Sequence, residues 1–308
     1  MQGVVYKSTG SWYSVKDDSG RVWNARMKGI FKLDDITSTN PIAVGDVVDF
    51  EEENAAEQTV IITEIHDRRN HINRQSPRIK SQQHIVAANI DQSLLIATIK
   101  EPRTSQGFID RFLVACEMYH VIAILLFNKI DLYQDKDLAK FEKLKAVYEN
   151  IGYTVTGVSL KQNENIGDIK ELLKDKTSLI SGHSGVGKST FINAIIPQAR
   201  IKTQDVSGWS GKGQHTTTFA EMFDLPFGGK IIDTPGMKEF GLVNIERQEL
   251  SGYFPEMRKR LNGCQFNNCL HVNEPGCAIK QAVVDGAIDE DRYVSYYNIL
   301  ASISEQKW

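Results

Sequence analysis

The stretch Thr177-Ser178-Leu179-Ile180-Ser181-Gly182-His183-Ser184-Gly185-Val186-Gly187-Lys188-Ser189-Thr190 decides how the rest of the chain reads. Its first five residues are a mostly apolar run of strand length. Gly182 to Thr190 then fit the G-x-x-x-x-G-K-[ST] pattern of a phosphate-binding loop opening a helix near Lys188. Glycines let backbone N–H groups turn inward around a phosphate, and the helix N-terminus adds a favourable dipole. Lys188 can reach β- and γ-phosphates, and the Ser189 hydroxyl can ligate Mg²⁺. A Gly-rich turn without a ligand is the bland alternative, and the strand directly before the loop argues against it.

Working outward, residues 85–245 alternate short apolar strands with helical stretches. Strands are expected at Gln92–Ile99, Val121–Phe127, Thr154–Val158, Thr177–Ser181 and Lys230–Asp233. Helices are expected at Phe108–Tyr119, Leu138–Asn150, Ile166–Leu173 and Ser189–Ile196. This alternation predicts a mainly parallel sheet covered by helices. Asp233-Thr234-Pro235-Gly236 ends one strand, where Asp233 can hold Mg²⁺ and the Gly236 amide can sense a γ-phosphate. Gly213-Gln214-His215-Thr216-Thr217-Thr218 lies in a Gly- and Ser-rich stretch, and a threonine there, Thr217 or Thr218, could complete the Mg²⁺ shell.

Asn128-Lys129-Ile130-Asp131 follows the strand Val121–Phe127. A carboxylate at Asp131 can accept the N1–H and 2-amino hydrogens of guanine, and Asn128 can contact its N7/O6 edge. Adenine lacks that donor pair and would leave Asp131 unpaired, a mismatch worth about 10⁴-fold in discrimination. Ser159, after the next strand, could offer a backbone N–H to guanine O6. Together the strings specify GTP. Their order is guanine motif, Ser159 loop, phosphate loop, threonine loop, Asp-Thr-Pro-Gly, whereas Ras-like GTPases begin with the phosphate loop. That is a circular permutation, tolerated when the original termini lie close together.

The flanks are of different character. Residues 1–68 hold strand-length pieces, Gly3–Lys7, Trp12–Lys16, Arg21–Met27, Asp46–Glu51 and Val60–Ile65, with a hairpin turn at Asp17-Asp18-Ser19-Gly20. They predict a small barrel, with the oligonucleotide-binding (OB) type first and an SH3-like barrel as the alternative. Tyr6, Trp12, Tyr13 and Trp23 could stack bases, although aromatics at strand spacing are more often core. Arg68 to Lys80 carries basic and no acidic residues, and reads equally as a solvated tether or a phosphate-contacting arm. Toward the other end, Cys264, Cys269, His271 and Cys277 offer a Cys₃His set within fourteen residues, a closed tetrahedral shell suited to one structural zinc. A further helix is expected at about Ile288–Ile303. Cys116, far away, reads as core packing. Arg258-Lys259-Arg260 is either an RNA contact or a solvated helix face.

The chain has 308 residues and four cysteines, too few for a disulfide scaffold. Its net charge of −3 confines any nucleic-acid binding to local patches. No apolar run reaches the roughly 18 residues of a membrane span, and the opening residues lack the pattern of a secretory signal. A cytoplasmic, monomeric protein is the default expectation.

Permuted motif order, an N-terminal barrel and a cysteine–histidine segment together make the whole chain resemble the RsgA/YjeQ family, the small-subunit-dependent GTPases. The resemblance implies a multidomain α/β protein. It would consist of an OB-fold β-barrel at 1–68, a circularly permuted P-loop GTPase domain at 69–245 with a basic linker at 69–84, and a mostly helical zinc-binding domain at 246–308. It implies the bacterial cytoplasm, GTP and GDP as ligands with Mg²⁺, and binding to the 30S ribosomal subunit and its 16S rRNA late in subunit maturation. GTP binding would involve Asn128, Lys129, Ile130, Asp131, Ser159, Gly182, His183, Ser184, Gly185, Val186, Gly187, Lys188, Ser189, Thr190, Asp233 and Gly236. Magnesium would sit on Ser189, Thr217 and Asp233. Many GTPases orient the attacking water with a glutamine after Asp-Thr-Pro-Gly. Met237 stands there and cannot do so, which leaves His215 as the nearest group for that task. A rival reading is an RNA-binding module gated by nucleotide, in which hydrolysis is incidental.

Overall fold

The computed structural model describes residues 1–27, 41–54, 57–75, 83–199, 219–234, 242 and 245–303. His215, Thr217, Thr218, Gly236 and Met237 lie outside the described residues, as do Arg78 and Lys80 of the basic run.

Five strands, β1 (Gln2–Ser8), β2 (Tyr13–Asp17), β3 (Val22–Met27), β4 (Val47–Asn54) and β5 (Thr59–Ile65), close into a barrel. The order is β1-β2-β3-β5-β4 with β4 returning to β1, and β3–β5 is its parallel pair. This is the barrel of the OB type rather than its SH3-like alternative. Alternation supplies the interior, since Val5, Val15, Trp23, Ala25, Val48, Phe50, Val60 and Ile62 all point inward. The predicted turn forms around Asp17, whose carboxylate accepts from the Ser19 amide (3.0 Å), the Arg21 amide (2.9 Å) and Trp23 Nε1 (2.8 Å). Tyr13 and Trp23 are therefore core. Tyr6 donates to Asp224 Oδ1 at 2.6 Å, and only Trp12 of the four aromatics stands exposed.

The basic run is more structured than a tether. Part of it is β6 (His71–Gln75), which pairs antiparallel with β7 (Gln83–Ala88). Arg68 grips the buried Asp46 through Nε and NH2, both at 2.7 Å, and Arg69 pairs with Asp91 at 2.6 Å. Both cations are thus engaged within the protein.

Then follow β8 (Gln92–Ala97), α1 (Gln106–Met118), β9 (Ile122–Asn128), α2 (Asp135–Ile151), β10 (Thr154–Val158), α3 (Ile166–Leu173), β11 (Thr177–Ser181), α4 (Lys188–Ile195), β12 (Glu221–Asp224) and β13 (Lys230–Asp233). The sheet order is β10-β9-β8-β11-β13-β12, parallel throughout except for the β12–β13 pair. The strand β8 is buried along its whole length, as a central parallel strand covered on both faces must be. One face packs α1 and α2 through Phe112, Leu113, Phe141 and Tyr148, and the other packs α3 and α4 through Ile169, Leu173, Phe191 and Ile192. Barrel and sheet join where Lys7 of β1 pairs with Glu221 of β12.

The C-terminal part is helical, with α5 (Pro255–Arg258), α6 (Ala278–Val284) and α7 (Glu290–Ser302). Its core of Leu250, Phe254, Met257, Ile279, Tyr296 and Ile299 meets Val114 of α1. A wholly buried guanidinium, Arg292 of α7, crosses this junction. It donates to Asp110 of α1 at 2.7 Å and to Glu256 of α5 at 2.9 Å, and Tyr148 of α2 also donates to Asp110 at 2.8 Å. Arg258 bonds Glu117 of α1 and Arg260 bonds the Glu256 carbonyl, so this cluster is only partly solvated. No helix among the described residues is long and apolar enough to cross a membrane.

Candidate nucleotide site and metal centre

Parallel strands bring their carboxyl ends to one edge, which is where ligands bind in open α/β sheets. Three loops meet there, after β9, β10 and β11. The loop after β11 turns on Gly182 (φ 146°), Gly185 (φ 82°) and Gly187 (φ 107°) before entering α4 at Lys188. Two of these glycines have no substitute. A Cβ on Gly182 would lie 2.4 Å from the Ile96 carbonyl oxygen, and one on Gly187 would lie 2.4 Å from Asn128 Nδ2.

Lys188 Nζ lies across the loop, donating to the carbonyls of Gly182 (2.5 Å) and His183 (2.7 Å). Burial lowers the pKa of its ammonium, and Asp233 opposes that shift. Burial raises the Asp233 carboxyl in turn, against the pull of Lys188. Asp233 Oδ1 is buried with no hydrogen-bond partner among the described residues. Ser184 and Thr190 are exposed on the loop and the first turn of α4, and Ser189 is half-buried between them. The His183 ring lies against that of Phe108 of α1, tilted by 33° with centroids 3.7 Å apart.

The guanine motif follows β9. Asn128 is buried, and its side chain joins two loops, with Nδ2 donating to the Val186 carbonyl (2.8 Å) and Oδ1 accepting from the Leu160 amide (3.3 Å). Lys129 takes a left-handed conformation (φ 67°) that starts a 3₁₀ turn over Ile130–Leu132, and its Nζ donates to the Glu101 carbonyl. Asp131 in that turn accepts from Ser159 Oγ at 2.6 Å. The hydroxyl of Ser159, and not only its amide, therefore bears on the site. The structure thus brings Asn128 against the phosphate loop and Asp131 against Ser159, so that three loops far apart in sequence are linked. Leu160, of the expected Ser159 loop, donates its amide hydrogen to Asn128, and Phe108 and Tyr133 also touch these residues and were missed by sequence reasoning. An aromatic two places after Asp131 was the one available signal, since nothing in the sequence pairs Phe108 with His183.

The second site lies in the C-terminal part. The ligand atoms of Cys264, Cys269, His271 and Cys277 all lie within 4.8 Å of one another. His271 Nδ1 is 3.6 Å from Cys264 Sγ and 3.4 Å from Cys277 Sγ. Zinc–sulfur and zinc–nitrogen bond lengths place tetrahedral ligands about 3.5–3.8 Å apart, so the donor set fits that ion. His271 takes φ 58°, and its loop is shaped by Glu274, whose carboxylate accepts from the amides of Leu270 (2.8 Å), Val272 (2.9 Å) and Asn273 (3.1 Å). Burial would raise the Glu274 pKa, but these amides outweigh it and pull it down to about 2. From α7, Tyr293 donates to the His271 carbonyl (2.6 Å) and Tyr296 to the Leu270 carbonyl (2.8 Å). Cys116 is buried in the sheet's core, apart from this group, with its thiol pKa pushed up by burial.

A phosphate loop, a guanine-type motif and a permuted order on one sheet edge define a circularly permuted GTP hydrolase. Comparison with known proteins agrees. The family model described as RsgA GTPase matches residues 65–243, and that described as RsgA N-terminal domain matches residues 2–60. The chain belongs to the RsgA GTPase family. It is 50% identical over 301 residues to the protein of Christiangramia forsetii named "Small ribosomal subunit biogenesis GTPase RsgA", covering 97% of this chain and 96% of that one. Among solved structures, YjeQ from Thermotoga maritima superposes with a TM-score of 0.80 at 32% identity, covering 99% of each chain. YloQ, titled a circularly permuted GTPase, superposes with a TM-score of 0.74 at 31% identity, covering 100% of this chain and 96% of that one.

Proposed function

We propose that this protein is a Mg²⁺-dependent GTPase of the cytoplasm that works as a monomer on the small ribosomal subunit during its late assembly. The name carried by its relatives supports the partner. The observation that carries the chemistry is the Asn128 side chain, which ties the base-recognition loops to the phosphate loop and makes them one pocket.

Asp131 accepts the N1–H and 2-amino hydrogens of guanine, held at the correct angle by the Ser159 hydroxyl. Asn128 braces the pocket as much as it reads the base. The amides from Gly185 to Ser189 surround the phosphates, and Lys188 moves from its two carbonyl acceptors to the β- and γ-phosphates. The Asp233 oxygen that has no partner among the described residues is an acceptor that the water of a hydrated cation would satisfy, so Asp233 would hold Mg²⁺ together with Ser189 and Thr217. When bound, the cation neutralises charge building on the phosphate oxygens. His215 orients the attacking water, a task Met237 cannot perform. One zinc on Cys264, Cys269, His271 and Cys277 fills its shell with protein ligands and serves structure. The barrel and the zinc-binding part contact 16S rRNA.

Turnover is measured with purified subunits. Small subunits should accelerate GTP hydrolysis by at least tenfold, and large subunits should not. Equal rates with and without small subunits would overturn the proposed partner. Calorimetry should show GDP bound about 10⁴-fold more tightly than ADP.

A further inference from the structure

The guanine motif is a loop with a closed neck. Asn128 enters it, Lys129 turns left-handed, and the 3₁₀ turn over Ile130–Leu132 carries Asp131. Tyr133 leaves it, and its hydroxyl returns to the entrance, donating to the Asn128 carbonyl at 2.9 Å. The same oxygen accepts from the Ile99 amide at 3.1 Å, just beyond the end of β8. One buried hydroxyl therefore fastens exit to entrance and fastens both to the neighbouring strand. Its ring lies beside that of Phe141 of α2, 6.3 Å away between centroids. Burial pushes its pKa up to about 12, against the Ile99 amide, so the hydroxyl keeps its proton at working pH.

Position, and not contact, is what this hydroxyl supplies. Recognising guanine over hypoxanthine depends on the 2-amino group alone, so Asp131 must be placed to within a few tenths of an ångström to accept that hydrogen. Ser159 controls one carboxylate oxygen from outside the loop, but the loop's own span is set where its ends meet. We infer that Tyr133 is a positioning residue for base recognition, holding Asp131 at the height at which it distinguishes guanine from bases without a 2-amino group. This rests on the reading that Asp131 is the base acceptor. Phenylalanine at 133 would keep the ring and its packing, and would leave the Ile99 amide and Asn128 carbonyl without their partner.

The experiment compares GDP and inosine diphosphate binding by calorimetry on zinc-loaded full-length protein, with steady-state GTP turnover alongside. Tyr133→Phe should weaken GDP about tenfold and inosine diphosphate by threefold or less. The KM for GTP should rise while kcat stays within twofold of wild type. Phe141→Leu, which disturbs packing behind the ring and spares the hydroxyl, should leave the GDP to inosine diphosphate ratio unchanged. Equal loss of both ligands in Tyr133→Phe, or an unchanged ratio, overturns the proposal. Amide exchange at Ile99 in the wild type tests it without any substitution. GDP should protect that amide more than inosine diphosphate does, and equal protection overturns the proposal. A wild type that fails to prefer GDP over inosine diphosphate would instead overturn the role of Asp131 itself.

Discussion

The two sites of this protein are opposites in construction. The nucleotide pocket draws on loops that begin at Asn128, Ser159 and Gly182, and protein hydrogen bonds such as Asn128 to Val186 and Ser159 to Asp131 already hold it in shape. The candidate metal centre draws on the fourteen residues from Cys264 to Cys277, flanked by short helices, α5 and α6, that could not persist alone. The fold holds the first site, whereas at the second a bound metal, as proposed, would hold its part of the fold. Ligand removal should therefore have opposite consequences at the two places.

The largest effect is expected from chelation. Stripping zinc should abolish hydrogen-exchange protection across α6 and α7, because metal binding and folding are one event in such a unit. Stripping nucleotide should leave protection of β8, β9 and β11 in place. GDP affinity of the chelated protein should stay within a few-fold of the loaded one, and a collapse of affinity would break the contrast.

Arg292→Ala comes next, since Arg292 binds the C-terminal part to α1. Removing one partner of a buried ion network leaves Asp110 and Glu256 uncompensated and should cost about 3–5 kcal/mol in urea unfolding. A loss below about 1 kcal/mol would show that the apolar junction around Val114 suffices.

The smallest effect sharpens the other side. Asn128→Ala removes one bridge between loops and should cost about 1–3 kcal/mol of stability. Zinc content, read by metal analysis, should remain at one per chain.

The sequence was most legible where backbone geometry demands particular residues. Gly182 and Gly187 stand where any Cβ would strike Ile96 or Asn128, so the phosphate loop was readable before its surroundings were known. Strict alternation around Val15, Trp23 and Ala25 exposed the barrel in the same way. Polar contacts between distant residues were not legible. Arg292 meets Asp110 across 182 positions, and nothing local marks either residue as buried. The stretch at His71–Gln75 read equally as a solvated tether or a phosphate-contacting arm because its charges are conspicuous, while its pairing with β7 depends on a partner that only the fold supplies.

The permuted order also sets a timetable. During synthesis the base-reading half of the pocket, Asn128 to Ser159, emerges first, and β8, β9 and β10 can align before β11 exists. Some 57 residues separate Asp131 from Lys188, which at ordinary translation rates is roughly 3–11 s. Until then, on the proposed reading of Asp131, the nascent chain would have a seat for guanine without a cradle for phosphate. Arg292 arrives last of all, so the bolt that joins the final helix to α1 slides home only when everything it fastens has been made.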